Sequence, residues 1–359
     1  MSVNIKSFNI ESYKGLANIT LDNLNIINVL TGDNNSGKTS VMELLKTLEN
    51  PNNVYNWVSG IRFWNARFKG TQIFDGFKFL FPIHKKEKEI EYSFISLDNV
   101  RHVVKLRANI EMTKVSTEDV KKISRRRYIG HEDSGFLIDA YVMHLYSDVD
   151  GNNSELTSLY DFQGEFIRKL VPAKKMFLKT VYISPSDHVL KTFSLQSILN
   201  NVEQHEMLIK LLKSFDENVE RIIVINESPV EYGFILSNSE EAMPISSFGD
   251  GMKKTILMLA ALISAKDGIL MIDEFETAIH TSAMKNVFEW LIKAAIELNV
   301  QVFLTSHSKE AIEKILDLNE YKQFINVYTL YKHEGNNFVR RLTGEEAINV
   351  SENLGMELR

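Results

Sequence analysis

Val3 to Ile10 and Asn18 to Asp22 set β-branched or apolar residues against polar ones at near-alternating spacing, the period that gives a strand one buried face, and Lys14-Gly15 punctuates them as a turn. Ile26 to Leu30 differs. It is a short continuous apolar run ending in Thr31-Gly32, which predicts a buried strand feeding a loop. Val41, Leu44, Leu45 and Leu48 then recur at helical spacing, so Lys38 to Leu48 reads as an amphipathic helix, closed by Pro51 and the asparagines around it. Beyond residue 54 the pattern is irregular. Aromatic residues crowd Trp57 to Phe81; Glu91 to Ser96, His102 to Ile110 and Leu137 to Tyr146 read as strands; Asp148 to Ser154 is a turn-rich break. Phe177 to Ile183 is another apolar strand, about His188 to Asn218 is largely helical, and Ile222 to Ile225 and Tyr232 to Leu236 are short strands. From Gly251 the alternation becomes regular: helix to Ala265, strand Ile269 to Ile272, helix Ala283 to Leu298, strand Val302 to Thr305, helix Lys309 to Leu316. Strands and helices alternating at this length predict a parallel sheet with crossover helices.

Composition narrows the classes. A chain of 359 residues can hold two or three domains, or one large domain with an insertion. With 44% hydrophobic and 25% charged residues, disordered and fibrous readings fall away. The absence of cysteine excludes a disulfide scaffold, cysteine-ligated zinc or iron–sulfur sites and a thiol nucleophile, and it fits a reducing, cytoplasmic setting. Neither a signal peptide nor a membrane span is read: Met1 to Lys6 lacks a basic flank with an apolar core, and the longest apolar run, Ile256 to Ile263, is bounded by Thr255 and Ser264. A net charge of −6 argues against nucleic-acid binding over the whole surface but leaves room for a local basic patch.

Four segments carry chemistry. Gly32-Asp33-Asn34-Asn35-Ser36-Gly37-Lys38-Thr39 is a full match to G-x-x-x-x-G-K-[ST], and Ser40 follows it in the first turn of the helix. The glycines let the backbone curl so that successive N–H groups face one anion-sized concavity, and the helix adds its positive end. Lys38 would reach the β- and γ-phosphates, and Thr39 would supply a magnesium ligand. An ordinary Gly-Asn turn before a helix is the plainer reading; the apolar strand before it and the amphipathic helix after it weigh against that. The second segment is the apolar strand ending in Asp273-Glu274. Acidic residues at a strand's carboxyl end sit where open parallel sheets bind ligands, so Asp273 fits a magnesium shell and Glu274 could orient or deprotonate an attacking water. Strand–Asp–Glu also begins many helices as a cap, but beside a phosphate loop it is the expected partner. The third, Ser246 to Lys254, places small residues at a helix N-terminus, either a second phosphate site or a plain N-cap with a glycine-rich loop. The fourth, Thr305-Ser306-His307-Ser308, ends the strand next to the acidic one; a lone histidine is more often structural, yet His307 could hydrogen-bond a γ-phosphate.

In this order the segments resemble an ATP-binding-cassette-type ATPase of the AAA branch that includes OLD-family and SMC-like ATPases. The resemblance rests on Ile5 to Leu16, on Asn28 to Thr39 and on Ile272-Asp273-Glu274-Phe275-Glu276-Thr277-Ala278-Ile279-His280, where that branch has I-D-E-x-E-x-x-x-H. It covers about residues 1 to 50 and 244 to 317. It implies an α/β P-loop NTPase, an ABC-ATPase-like head split by a central α+β insertion, with its first half in 1–53, the insertion in 54–180 and its second half in 181–359. It further implies that two heads dimerise with ATP and Mg2+ between one subunit's phosphate loop, Gly32 to Ser40, and the other's signature, Ser247, Gly249 and Gly251. Glu274 would be the general base, Asp273 and Thr39 the magnesium ligands and His307 the switch histidine. Tyr13 and Lys14 fall where such heads contact the nucleotide's base side. Gln72 is a candidate for the family's magnesium-contacting glutamine, and His280 stands where many ABC proteins place an aspartate.

Other signals are weaker. His205-Glu206 lacks a second histidine at Ile209, so no zinc-protease motif exists, and Asp148-x-Asp150 meets Gly151 too early for a calcium loop. The guanine-reading N-K-x-D is absent, which favours adenine. Lys121, Lys122, Arg125, Arg126 and Arg127 read as solvated surface, a nucleic-acid backbone contact or a contact for an acidic partner. Trp57, Phe63, Trp64 and Phe68 read as core rather than a base-stacking platform. Only fifty-two residues follow His307, too few for the nuclease domain of OLD-like relatives, and the 235 positions from Lys38 to Asp273 lack long heptads. The expected function is an ATPase subunit whose head dimerisation regulates or senses for a separately encoded nuclease or toxin, as in bacterial antiphage defence, without membrane contact. A DNA-repair or chromosome-associated clamp on duplex DNA and a nucleotide-sensing scaffold with little turnover are the alternatives.

Overall fold

The computed structural model describes residues 4–58, 60–61, 71–83, 87–116, 137–162, 165–170, 178–185, 187, 195–213, 216–227, 230–239 and 241–354. Two large sheets organise the described residues. The strands β1 (Ile5–Tyr13), β2 (Leu16–Leu21), β4 (Glu89–Ser96), β5 (Arg101–Ser116), β6 (Leu137–Val149), β7 (Asn152–Phe162) and β8 (Glu165–Leu170) form a seven-stranded antiparallel sheet in the order β2-β1-β4-β5-β6-β7-β8. The strands β3 (Ile27–Thr31), β9 (Thr180–Ile183), β13 (Ile269–Ile272), β14 (Gln301–Thr305), β15 (Ile325–His333) and β16 (Asn336–Thr343) form a second sheet in the order β16-β15-β3-β14-β13-β9. All neighbours in this second sheet run parallel except β16, which returns along β15 as a hairpin. A smaller antiparallel sheet joins β10 (Val219–Glu227), β11 (Val230–Leu236) and β12 (Met243–Pro244).

β3, β13 and β14 are buried at every position because both their faces are covered, and their successive apolar side chains feed two separate cores. Leu270 and Ile272 of β13, Val302 and Leu304 of β14, and Ile27 and Val29 of β3 pack with the helices Asp250–Ser264, Thr281–Glu297 and Lys309–Leu316. Ile269, Met271, Phe303 and Leu30 point the other way, into a core shared with helix α1 (Lys38–Thr47) and with Phe8, Ile10, Tyr92 and Leu106 of the antiparallel sheet. Helix α1 thus lies between the two sheets, which explains why Val41, Leu44 and Leu45 are wholly buried.

The central segment uses the edge offered by β1. β4 pairs with β1 through Phe8↔Phe94 and Ile10↔Tyr92, so the strands from 89 to 170 continue the sheet that the N-terminal hairpin begins. Trp57 is buried, its indole donating to the Pro51 carbonyl at 2.8 Å, as expected of a core residue. Phe63, Trp64, Phe68 and the basic residues Lys121, Lys122, Arg125, Arg126 and Arg127 lie outside the described residues. Among the described residues, no helix is long and apolar enough to cross a membrane.

Candidate nucleotide-binding site

β3 ends at Thr31 and the chain turns over Gly32 to Gly37 into α1. Two glycines make the turn feasible. Gly32 has φ 131° and a Cβ there would stand 2.0 Å from the Leu330 carbonyl oxygen; Gly37 has φ 105° and a Cβ there would stand 2.3 Å from Leu16. Asn35, at φ 63°, takes the left-handed conformation that asparagine tolerates best among residues with a Cβ. The loop closes with the Ser36 amide donating to the Asp33 carbonyl at 3.2 Å. Lys38 is buried and folds back over the loop, its ammonium donating to the carbonyls of Gly32 at 2.6 Å and Asp33 at 2.9 Å. Burial pulls its pKa below the ordinary lysine value of 10.5, against the opposing pull of Asp273, Asp33, Glu274 and Glu276.

The ends of β13 and β14 meet beside this loop. Thr305, fully buried at the end of β14, donates its hydroxyl to Asp273 Oδ1 at 2.5 Å and accepts the backbone N–H of Glu274 at 2.7 Å. Tyr182, on β9, donates its phenol to Asp273 Oδ2 at 3.1 Å; burial and then the charge of Asp273 keep that phenol protonated well above the usual tyrosine range. Asp273 is therefore held at both oxygens and has lone pairs left for a cation. Glu274 has φ 46°, a strained value for a residue with a Cβ. Its carboxylate lies half-exposed, 4.0 Å from His307 Nε2. Glu276 turns back under the next loop, where its Oε1 accepts from the amides of His307 and Ser308 and from the Ser306 hydroxyl at 2.9, 3.2 and 3.1 Å.

A cavity of about 480 Å3 opens over the loop, lined by Asn34, Asn35, Gly37, Lys38, Thr39, Ser40 and His307 together with Gly15, Leu16 and Lys332. The structure therefore brings the phosphate loop, the histidine and the strand-end carboxylates to one place. Tyr13 and Lys14 adjoin Gly15 and Leu16 but do not line the cavity: the buried Tyr13 phenol and the Lys14 ammonium both donate to Glu43 Oε2, at 3.1 and 2.6 Å, and Lys14 also donates to the Gly60 carbonyl at 2.7 Å. Ser247 and Gly249 are exposed at the head of the helix Asp250–Ser264, outside the cavity, with open space around Gly249. Gln72 lies in the first turn of the helix Thr71–Lys78. Sequence reasoning missed Tyr182, Glu43 and Lys332. Tyr182 is one aromatic residue in an apolar strand, Glu43 one charge in a helix, and Lys332 depends on a strand pairing no local pattern encodes.

The helix Asp250–Ser264 also contributes Lys254, wholly buried, with no hydrogen-bond partner for its ammonium among the described residues. Burial lowers its pKa, while Asp187, Glu276, Asp273 and Glu274 pull it back up.

A family model described as "AAA domain, putative AbiEii toxin, Type IV TA system" matches residues 27–313, from the strand that enters the phosphate loop to the helix after His307. The chain belongs to this AAA family. A Helicobacter pylori protein named ATP/GTP phosphatase is 24% identical to this AAA protein over 357 residues, covering 91% of each chain. An uncharacterised protein of Methanocaldococcus jannaschii is 32% identical over 113 residues, which is 31% of this AAA protein and 98% of that one. Among solved structures, an SMC head bound to the C-winged helix domain of ScpA superposes with a TM-score of 0.50 and 11% identity, covering 96% of this chain and 100% of that one. The AAA protein accordingly has the P-loop NTPase fold of SMC heads and ABC-type ATPases, the α/β class that the motif order implies.

Proposed function

We propose that this AAA protein binds ATP with Mg2+ and hydrolyses it to ADP and phosphate, and that two copies close around the nucleotide to control a separately encoded effector. One observation carries the reading: Lys38, Thr39 and His307 line a single cavity, and the Glu274 carboxylate stands 4.0 Å from His307. The loop amides and the Lys38 ammonium would hold the β- and γ-phosphates. Lys38 would exchange its bonds to the Gly32 and Asp33 carbonyls for phosphate oxygens. Glu274 would accept a proton from the water that attacks the γ-phosphorus as the bond to the β-phosphate oxygen breaks, and His307 would steady the phosphoryl oxygens. Thr39 and Asp273 offer a hydroxyl and a carboxylate, hard oxygen donors that suit Mg2+ completed by phosphates and water. The ion would supply charge neutralisation on those phosphates.

Ser247, Gly249 and Gly251 lie away from this cavity and Gly249 is unobstructed, which supports a signature that meets the nucleotide of a second copy. The family's description names a toxin and a type IV TA system, which supports a toxin in the effector system; a nuclease effector and bacterial antiphage defence rest on the resemblance to OLD-family and SMC-like ATPases. The absence of cysteine fits a cytoplasmic one. Sedimentation of Glu274→Gln with ATP and Mg2+ tests the assembly: a nucleotide-dependent dimer is expected, absent in Lys38→Ala. A Glu274→Gln variant that stays monomeric at saturating ATP contradicts it.

A further inference from the structure

β15 carries the chain past the phosphate loop on the flank opposite β14 and β13. It pairs in parallel with β3 up to Thr329↔Thr31. Lys332, three residues further, stands about 10 Å beyond the point where β3 gives way to the loop, at the usual rise per residue of a strand. There it joins Gly15 and Leu16 in the wall of the cavity that Lys38, Thr39 and His307 line. Its ammonium comes within 4.0 Å of where a Cβ on Gly15 would sit.

The two lysines of this cavity differ. The Lys38 ammonium is bonded to two loop carbonyls. Lys332 is exposed and makes no hydrogen bond or ion pair among the described residues. Lys14, which the family resemblance put beside the nucleotide, is held by Glu43 and the Gly60 carbonyl instead. Direction follows from the strand order. Asp273, Glu274 and His307 all stand on the β13 and β14 side, so a γ-phosphate must point there, and the inner end of the nucleotide trails toward β15 and the β1–β2 turn.

We propose that Lys332 binds the α-phosphate of the nucleotide, a contact outside the phosphate loop that serves ATP and ADP alike. The proposal rests on the nucleotide-binding reading above. A phosphate is favoured over the base because the cavity lining holds no phenyl, phenol or indole ring, its one imidazole, His307, follows β14 on the far side from Lys332, and a flexible ammonium suits a point charge better than a planar edge.

Affinities of the full chain for ATP, ADP and GTP, measured by calorimetry at low and high salt, test it. Lys332→Ala should weaken all three by about 10-fold at low salt, a charge-assisted bond's worth, with the difference shrinking at high salt. Lys332→Arg should retain most of the affinity. Unchanged affinities in Lys332→Ala overturn the proposal, and so does a loss for ATP that GTP does not share, since that marks a contact to the base. If the wild-type chain binds none of the three, both this inference and the nucleotide-binding reading fall; wild-type binding with an unaffected Lys332→Ala removes only the inference.

Discussion

Glu276 Oε1 lies 2.9 Å from the backbone nitrogen of His307. One carboxylate beyond β13 thus fixes the loop that follows β14, because the same oxygen also accepts from the Ser308 amide and the Ser306 hydroxyl. Glu276 need not touch the nucleotide to matter. It sets where His307 stands relative to Glu274, and a displacement of about 1 Å at such a centre can cost on the order of 100-fold in rate. Glu276→Ala should lower turnover by about 10- to 100-fold while changing ATP affinity less than threefold. Steady-state phosphate release and equilibrium binding, measured on the same preparation, check the split.

Thr305 makes the corresponding link within the acidic turn. Its hydroxyl serves Asp273 and the Glu274 amide at once, in a fully buried position. Thr305→Val keeps the shape and leaves both groups without that partner, a loss of about 1–3 kcal/mol. Urea denaturation without nucleotide should show it, and Thr305→Ser should recover most of the stability.

Gly32 stands against backbone, not against a side chain that can move. Gly32→Ala would put a methyl group 2.0 Å from the Leu330 carbonyl oxygen at a φ of 131°. The loop should deform, with about 1–3 kcal/mol lost in stability and ATP binding abolished. Gly37→Ala meets the flexible end of Leu16, so pairing it with Leu16→Ala should restore part of the stability, whereas Gly32→Ala should gain nothing from that second change. Thermal melts of the four variants decide this.

The residues that read clearly in the sequence are those whose role is local. The strand, loop and α1 around Lys38 follow from an apolar run, two glycines and a helical repeat, and β13 with its acidic end follows in the same way. Tertiary pairing was not legible. Glu91 to Ser96 and Leu137 to Tyr146 look like strands of an inserted unit, but only the free edge of β1 decides that they extend the N-terminal hairpin. β15 and β16 show no motif, yet β15 is what brings Lys332 to the cavity. The partners of Lys14 were equally hidden: Glu43, whose carboxylate accepts its ammonium at 2.6 Å, and Gly60, whose carbonyl accepts it at 2.7 Å, lie 29 and 46 residues away in the chain.

Three buried phenols set the alkaline limit. Burial raises Tyr328 to about 12 and keeps Tyr92 and Tyr182 protonated well above the usual 10.0. An unfolded tyrosine ionises near 10.0 and the folded ones do not, so above that pH the folded state binds more protons than the unfolded one. The stability these phenols contribute is intact below pH 10 and falls as pH rises from there toward each folded pKa. Denaturation midpoints should therefore drop between pH 10 and 12, and Tyr328→Phe should make the drop shallower in that window even though it loses the bond to the Asp22 carbonyl.

In the proposed mechanism Glu274 takes the proton from the attacking water. Single-turnover phosphate release from ATP and Mg2+ by the wild-type chain and by Glu274→Gln, with ATP affinity measured alongside, tests it most directly. Glu274→Gln should bind ATP as tightly as the wild type and release phosphate at least about 100-fold more slowly, the usual scale of a general base. Phosphate release by Glu274→Gln at the wild-type rate would contradict it.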